Sequence, residues 1–475
     1  MAERHRRTMV RLIFLIYWLA IFEGLLRKYA FPEANRLIFF VKDPFVVLLY
    51  CFAVKNRLYP LRSHLFSAAL GFIAISAPLV LVQWMLSPAD FNLMIAIYGW
   101  RNYFLYIPLA FFVGKYVTLA DIHVLARRTL LVAIAIAPLI YFQFMAPADA
   151  PINQGFGRDP DAVFLSMLTV DGGFTRPSGT FTSPVGEACF LGTCTAMLLG
   201  TWMLPASRRP LHGWKLWAAT AAILSSLALS GSRGTMILCG LIWCTSVIAA
   251  LISGDRRFAL QRLAMPILLL LVGFTVAPLV FPVAVAAFKS RWQSAGDVES
   301  EGFGYNAGIV GRLIYQFGAF TSLIPTTPPV GYQLGIAGNA ATMLSANDRV
   351  QPADQLVASS LETEWGRNIV ELGPLLGLAY IAFRLCLIGR IVKSALAVSR
   401  RSRDPLPVLL CAFATMTLFQ GLITGNGAVV AYAWLFSGFC LVNGKTGKLG
   451  RQNLVRHTIE MCAAGGERRK VISAR

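Results

Sequence analysis

Several arginines stand among glycines and hydroxyl-bearing residues, a setting that suits the binding of a phosphate group. The turn Ser230-Gly-Ser-Arg233-Gly-Thr235 joins two apolar segments and sets a guanidinium beside small residues and the free amides of a helix start. A helix N-terminus and a bidentate cation together favour a phosphate oxygen. Ser and Gly are also ordinary turn residues, and an arginine can simply cap a loop. Arg176 has a similar setting among the glycines and hydroxyls of residues 172–186.

A second group of reactive side chains lies in Glu362-Thr-Glu364-Trp365-Gly-Arg367, directly before an apolar segment. Carboxylates, an indole and a guanidinium together are typical of contacts with carbohydrate and phosphate. They are equally typical of the aromatic belt at a membrane surface. Trp365 is therefore either a platform for a sugar or an anchor at the interface.

Charges inside apolar segments point to function, because each is costly there and must find a partner or a wet cavity. Arg101 lies in the outer part of such a segment, where it could reach an anion at the membrane surface. Lys42 and Asp43 are adjacent and could be matched by neighbours such as Glu23.

The elements that must position these residues are membrane-spanning helices. The chain has 475 residues, of which 56% are hydrophobic, and a mean hydropathy of +0.61, which is too apolar for a soluble domain. We predict an all-α polytopic bundle over residues 1–443. Its spans number about twelve, at residues 9–25, 37–54, 65–85, 94–113, 125–145, 188–203, 216–230, 235–252, 264–287, 368–388, 406–423 and 428–443.

Charge distribution predicts the orientation of this bundle. The net charge of +20 arises mainly from Lys and Arg in alternate loops and in the C-terminal tail, residues 444–475. By the positive-inside rule both termini are cytoplasmic, and the long hydrophilic loops 146–187 and 288–367 lie on the outer face. Membrane topology thus accounts for the basic balance, and we predict no nucleic-acid partner.

Histidine and cysteine usage limits the chemistry of the outer face. All five histidines fall in predicted inward segments, so a proton acceptor outside must be a carboxylate. Glu362 and Glu364 are best placed for that role, and Asp171 is next. The nine cysteines fall in spans or in the tail without metal-ligand spacing, so we predict no disulfide framework, no metal site and no cofactor. Binding of a hard cation by carboxylates stays open.

The longer outer loop has helical periodicity of its own. Apolar residues recur at helical spacing over 309–320, while Arg312 and Gln316 take another face. This pattern predicts an amphipathic helix that lies on the membrane surface or forms a lid on the bundle. The segment that follows contains Pro328-Pro-Val-Gly331 and Gly335, and this Pro and Gly content lets backbone approach a ligand closely.

Taken in order, these segments resemble the O-antigen ligase and polymerase superfamily. The likeness lies in Leu227-Ala-Leu-Ser-Gly-Ser-Arg-Gly-Thr235, then in Gly311-Arg312 and the stretch ending at Gly335, then in Glu371-Leu-Gly-Pro-Leu-Leu-Gly377. The resemblance implies about a dozen helices, a large outer loop and metal-independent transfer of a glycan from undecaprenyl diphosphate. It also implies that outer-loop arginines hold the diphosphate, here Arg233, Arg176 and Arg312. Members that ligate glycan to lipid A core typically carry a His before Glu-Leu-Gly. This chain has Glu362-Thr-Glu364 there, which favours a polymerase.

The sequence therefore predicts an inverting glycosyltransferase in the bacterial cytoplasmic membrane. Its substrate would be an undecaprenyl-diphosphate-linked oligosaccharide within membrane lipid, and a chain-length regulator protein is a possible partner. Glu364 or Glu362 would accept the proton, and Trp365 would contact a sugar. The residues expected to bind the diphosphate are Arg233, Arg176, Arg312, Arg101 and Arg367. The alternatives are a transporter or flippase for the lipid-linked glycan and a non-enzymatic assembly scaffold.

Overall fold

The computed structural model describes residues 2–88, 91–147, 150–153, 169–170, 174–254, 256–303, 318, 320–338 and 363–442. This part of the chain is mostly helical; a two-residue antiparallel pair joins Thr169–Val170 to Phe174–Thr175. Its α-helices are α1 (Ala2–Leu25), α2 (Asn35–Ile38), α3 (Asp43–Lys55), α4 (His64–Leu86), α5 (Leu93–Trp100), α6 (Ile107–Tyr116), α7 (Leu119–Met145), α8 (Pro184–Met203), α9 (Trp214–Leu229), α10 (Arg233–Ser253), α11 (Arg256–Val280), α12 (Pro282–Phe303), α13 (Glu364–Leu372), α14 (Pro374–Ser402), α15 (Leu406–Gln420) and α16 (Gly427–Cys440).

Apolar helices long enough to cross a membrane dominate the fold. Besides these long helices, the described part has three apolar helices that are shorter, α9, α15 and α16. These elements support a helical membrane protein, whereas the count of about twelve spans and the outer position of the loops stay predictions. Six helices of the described part meet the length and composition of a span, over Glu3–Ala30, His64–Leu86, Leu119–Met145, Arg233–Ser253, Gln261–Val280 and Pro374–Ser402.

Three of the predicted spans are interrupted, two of them beside proline or glycine. The span expected at 94–113 is divided by a π-helical turn, Arg101–Leu105, which separates α5 from α6. The span expected at 264–287 ends at Val280, and α12 begins at Pro282. The span expected from 368 begins at Pro374, because Gly373 adopts φ +82° and separates it from α13.

The core is centred on α16, whose residues are almost all buried. This helix packs against α6, α15 and α1. Gly438 permits a close crossing with α6, since a Cβ at this position would lie 2.5 Å from the Cβ of Val113. The most central helix is therefore the one whose N-terminus meets the loops described next.

Two ends of the bundle are defined by side-chain contacts. At one end Arg6 pairs with Asp121 at 2.9 Å, and His123 contacts Asp404 at 2.6 Å. At the other end, here called the loop end, residues 26–34, 174–183, 327–338, 363–373 and 421–427 meet.

Candidate functional site

The loop between α15 and α16, residues 421–427, is the hub of the loop end. Asn426 caps α16 by accepting from the amides of Ala428 and Val429 at 2.9 and 3.4 Å. Its Nδ2 also donates to Ser183 Oγ at 3.3 Å, directly before α8. The positive ends of two helix dipoles therefore lie close together, which favours a nearby anion.

Arg101 lies at this junction and is buried. Its Nε donates to Asp43 Oδ2 at 2.6 Å, and its Nη1 donates to Asn102 Oδ1 at 2.9 Å. A Cβ added at Gly427, the first residue of α16, would lie 3.2 Å from Arg101 Nη1. Within the described residues Arg101 Nη2 has no hydrogen-bond acceptor. A cation thus sits at the positive end of a helix with one donor still available.

A charged network surrounds Arg101. Glu23 accepts from Arg27 at 3.3 Å and also pairs with Lys42, as the sequence suggested for these neighbours. Arg27 and Arg101 both lie on the ring of Phe39, 4.8 and 5.0 Å from its centroid. The buried cations of this network are Arg27, Lys42 and Arg101, and its carboxylates in the described part are Glu23 and Asp43.

Arg176 belongs to residues 174–183, which are fastened to α1 and α7. Gln143 accepts from the amides of Ser178 and Gly179 at 3.1 and 2.8 Å, and Thr180 Oγ1 donates to the carbonyl of Ile21 at 2.8 Å. Arg176 is half-buried, and its Nε is buried without a hydrogen-bond partner among the described residues. A fixed loop therefore carries a guanidinium with an available donor.

Glu364 is fully buried and tied into structure. It accepts from Arg384 Nη1 at 2.9 Å, from the amide of Thr424 at 3.3 Å and from Thr424 Oγ1 at 3.1 Å. Arg384 Nε also donates to the carbonyl of Leu418 at 2.8 Å. The carboxylate thereby joins α13 to α14 and to the 421–427 loop.

Two further residues of α13 pack against the same loop and its helix. The Trp365 Nε1 donates to the carbonyl of Phe419 at 2.8 Å, and its ring meets the edges of Phe320 and Phe419. The Arg367 side chain is buried and packs directly against Gly425, where a Cβ would lie only 1.5 Å from Arg367 Nη1. The contacts of Trp365 are those of a packed anchor, and Arg367 reaches the hub.

The Pro and Gly segment, residues 327–338, forms a wedge at the loop end. Gln83 of α4 donates to the carbonyls of Val330 and Glu371, both at 2.8 Å, and accepts from the amide of Leu334 at 3.1 Å. A Cβ at Gly99 would lie 2.3 Å from the amide nitrogen of Gly335. The backbone of this segment packs closely on helix α5, whereas its approach to a ligand stays a prediction.

The wedge also covers a carboxyl group. Glu371 Oε1 accepts from the amide of Ala337 at 2.8 Å, and Oε2 has no hydrogen-bond partner among the described residues. Burial raises the pKa of Glu371 from its usual value of 4.5 to about 7. A group that titrates near neutral pH therefore sits beside Arg367.

Arg233 lies at the start of α10 and near α12. It is the first residue of α10, where Ser232 Oγ accepts from the amide of Thr235 at 3.3 Å. Its guanidinium lies 5.9 Å from the ring centroid of Trp292 on α12. The structure thus brings Arg101 and Arg367 together at the 421–427 loop, and sets Arg233 beside α12.

Some predicted features lie outside the described residues. They include Glu362, Arg312 and Asp171, most of the amphipathic segment 309–320, and the tail 444–475. Within the part that is described, no group of three or more His, Cys, Asp and Glu residues could hold a metal ion.

Sequence reasoning missed the polar side chains that organise the site. Gln83, Gln143 and Arg384 each lie in an apolar helix, and the cost of burying them is the signal that could have singled them out. Asn426 stands in Thr-Gly-Asn-Gly between two apolar segments, a turn as distinctive as the one around Arg233. Searches for relatives return no matching protein family, characterised protein or solved structure. The case for a function therefore rests on the chain itself.

Proposed function

We propose that the protein transfers a glycan from undecaprenyl diphosphate to a hydroxyl of an acceptor sugar, at the outer face of a bacterial cytoplasmic membrane. In this proposal it is a metal-independent, inverting polymerase of lipid-linked repeat units. The donor's diphosphate binds at the loop end of the bundle, and its sugars lie among the loops.

The observation that carries the proposal is a group of arginines at the loop end, two of which keep buried donors without acceptors among the described residues. Arg101 and Arg367 meet the start of α16, and Arg101 Nη2 and Arg176 Nε are buried donors without acceptors among the described residues. Buried cations are costly unless an anion accompanies them. A lipid diphosphate supplies that anion and suits bidentate guanidinium groups.

An apolar groove next to this charge supports a lipid-linked donor. It has a volume of about 540 Å³ and follows one face of α3, lined by Phe40, Asp43, Pro44, Val47, Leu48 and Cys51. Asp43 is the residue that pairs with Arg101, so the groove begins at the charged network. An amphiphile with an anionic head and a hydrocarbon chain matches both parts.

The proposed reaction is a single displacement. The acceptor hydroxyl oxygen forms a bond to the anomeric carbon of the donor, while the bond from that carbon to the diphosphate oxygen breaks. The bonding electrons leave with undecaprenyl diphosphate, and negative charge grows on it in the transition state. Preorganised guanidinium groups stabilise this charge, each by roughly 2.7 to 4 kcal/mol if they act as single oxyanion donors do.

A carboxylate takes the hydroxyl proton in this scheme. Glu364 and Glu362 are both candidates from the sequence. Because Glu364 is held by Arg384 and Thr424, we assign the proton to Glu362. Arg233 and Arg312 are kept as further contacts of the diphosphate or of the sugars next to it.

The proposal is tested in a strain that lacks the protein and makes its glycan only from a plasmid copy. Arg176→Ala, Arg233→Ala and Glu362→Gln are compared with Arg128→Ala, which changes an exposed arginine on α7. We expect the first three to lose long chains and to accumulate lipid-linked repeat units outside, with Arg128→Ala unchanged. Repeat units trapped inside would identify a flippase instead. Normal chains from all variants would refute the assigned site.

A further inference from the structure

Lys28 stands apart from the other buried cations of the loop end. It lies in the π-helical turn Leu26–Ala30 that ends α1, and it is 9% exposed. Its Nζ donates to Ser178 Oγ at 2.6 Å. Among the described residues no carboxylate lies within ion-pair distance of it, whereas Lys42 and Arg101 each have one. Lys28 is thus buried against a neutral partner.

The surroundings of Lys28 hold it in this position. The carbonyl of Ile21, about two turns earlier, accepts from Thr180 Oγ1, so α1 is tied to the loop of Ser178. A Cβ at Gly24 would lie 2.4 Å from the carbonyl carbon of Phe181, which shows how closely the loop lies on α1. Gln143 fixes the other side of the same loop. Fixed packing, rather than a flexible surface, sets the place of the ammonium group.

The same loop carries Arg176, two residues before Ser178. Its Nε is a buried donor without an acceptor in the described part of the chain. An ammonium group beside Ser178 and a guanidinium two residues away in the same loop therefore both lack a negative partner there. An uncompensated buried charge costs several kcal/mol, and a bound anion would offset that cost for Lys28 and accept from the buried Nε of Arg176.

We propose that Lys28 is a phosphate-binding residue that acts with Arg176 and Ser178 on a diphosphate. The inference rests on the proposed function, which supplies a lipid diphosphate, and it adds a hydroxyl and a second kind of cation to the arginines of that site. Lysine contributes a point charge with three donors, and arginine contributes a planar fork. The ligand class is a diphosphate ester, which could be the headgroup of a lipid or a free diphosphate.

The test measures thermal unfolding of the purified full chain in detergent, alone and with added ligand. The variants are Lys28→Met and Lys28→Arg, with Lys55→Met as a control because Lys55 is exposed at the end of α3. The ligands are inorganic diphosphate and farnesyl diphosphate. A ligand that binds only the folded protein raises Tm in proportion to its affinity.

We expect diphosphate to raise the Tm of the parent and of Lys55→Met. Lys28→Met should need at least about ten times more ligand for the same rise, which is about 1.4 kcal/mol of binding, and Lys28→Arg should recover part of it. Without ligand, Lys28→Met should unfold at the parent's Tm or above, because it removes an uncompensated charge. A rise with farnesyl diphosphate alone assigns the site to a lipid headgroup, and an equal rise with both ligands assigns it to the diphosphate itself.

Other outcomes overturn the inference. Lys28→Met that responds to diphosphate like the parent would show that Lys28 does not bind it. A lowered Tm without ligand, with the response intact, would make Lys28 a structural partner of Ser178. No response in the parent would remove the site altogether. This assay contains no glycan, so it tests diphosphate binding by Lys28 and not glycan transfer. Either proposal can therefore be refuted while the other stands.

Discussion

Buried charges at the loop end fall into two groups with different consequences. Glu364 and Arg384 form a pair in which every charge is met by an opposite charge or a hydrogen bond. Arg101 and Arg176 keep donors without acceptors among the described residues. Side chains of the first group should govern folding, and side chains of the second group should govern ligand binding.

Removing Glu364 should therefore destabilise the protein strongly. Glu364→Ala leaves Arg384 buried without its carboxylate, which costs about 3 to 5 kcal/mol for a broken buried pair. Chemical unfolding in detergent measures this loss, and Glu364→Ala with Arg384→Leu should recover much of it. Glu3→Ala is the control, because Glu3 forms only solvent-accessible pairs with Arg6 and Arg7, worth about 1 kcal/mol or less. A Glu364→Gln variant that unfolds like the parent but transfers no glycan would instead make Glu364 a catalytic group.

Glu371 should make stability depend on pH. Its pKa is about 7 in the folded protein against a usual 4.5, so the protonated carboxyl is favoured by folding. This contribution is fully present below pH 4.5, declines as pH rises, and is lost above about pH 7. Between pH 5 and 8 the parent should lose on the order of 1 to 3 kcal/mol that Glu371→Gln does not lose. Parallel pH profiles of the two proteins would contradict this.

At the scale of single residues, the sequence suggested that Glu23 matches Lys42 but did not predict the partner of Arg101. Arg101 could be singled out because a charge in an apolar segment is costly. Its partner Asp43 lies 58 positions away in the chain, and local patterns carry no signal for such a contact. From composition alone, Trp365 could be a platform for a sugar or an anchor at the interface. The acceptor of its hydrogen bond, the carbonyl of Phe419, lies on another helix, α15.

Among the elements, the wedge of residues 327–338 does most to position α13. Gln83 binds backbone atoms of both the wedge and α13, and the amide of Tyr332 donates to the carbonyl of Val370 at 2.9 Å. Arg367 and Glu371 lie on α13, so the wedge helps to fix Arg367 at the hub and covers Glu371.

A methyl group at Gly99 should displace the wedge. Its Cβ would lie 2.3 Å from the amide nitrogen of Gly335, and backbone atoms cannot move aside cheaply. Gly99→Ala should cost about 1 to 3 kcal/mol or more in unfolding free energy. Gly71→Ala is the matched control on α4, because nothing lies within 4 Å of its Cβ position, and it should be neutral or stabilising. Equal stability of the two variants would refute the close contact.

Element boundaries show what the sequence can and cannot predict. Apolar runs predicted most of the helices, since a run of this kind has few alternatives in a membrane. The breaks at Phe281 and Gly373 fall beside Pro282 and Pro374, and a proline is disfavoured inside a helix. The sequence contains this signal, but averaging hydropathy over a whole span hides it. The π-helical turn at Arg101–Leu105 depends on tertiary contacts of Asn102 and Arg101, which no local pattern reveals.

At the scale of the whole molecule, charged residues of α1 and of several loops meet at one end of the bundle, opposite the loop end. Arg6, Asp121, His123 and Asp404 all meet there, and Arg208 donates to the carbonyl of Ser402 at 3.2 Å. These residues come from segments that the charge count assigns to the cytoplasm. The contacts group them on one side, in agreement with the alternation of the helices.

Reporter fusions should confirm this orientation. Green fluorescent protein, which fluoresces only inside, should be active when fused after Arg208 or Arg475. Alkaline phosphatase, which is active only outside, should work after Pro88. The reverse pattern would put the loop end in the cytoplasm and would remove access to a donor on the outer face.

The central claim is that cations of the loop end act on the diphosphate of a lipid-linked glycan. The most direct measurement is the rate of polymer formation by the purified protein in liposomes supplied with undecaprenyl-diphosphate-linked repeat units. Arg176→Ala, which removes a guanidinium with a buried donor, should slow the reaction by about 10² to 10³ fold, as loss of one oxyanion donor does. Arg128→Ala should keep the parent's rate. Polymer formed by Arg176→Ala at the parent's rate, or none formed by the parent itself, would contradict the account.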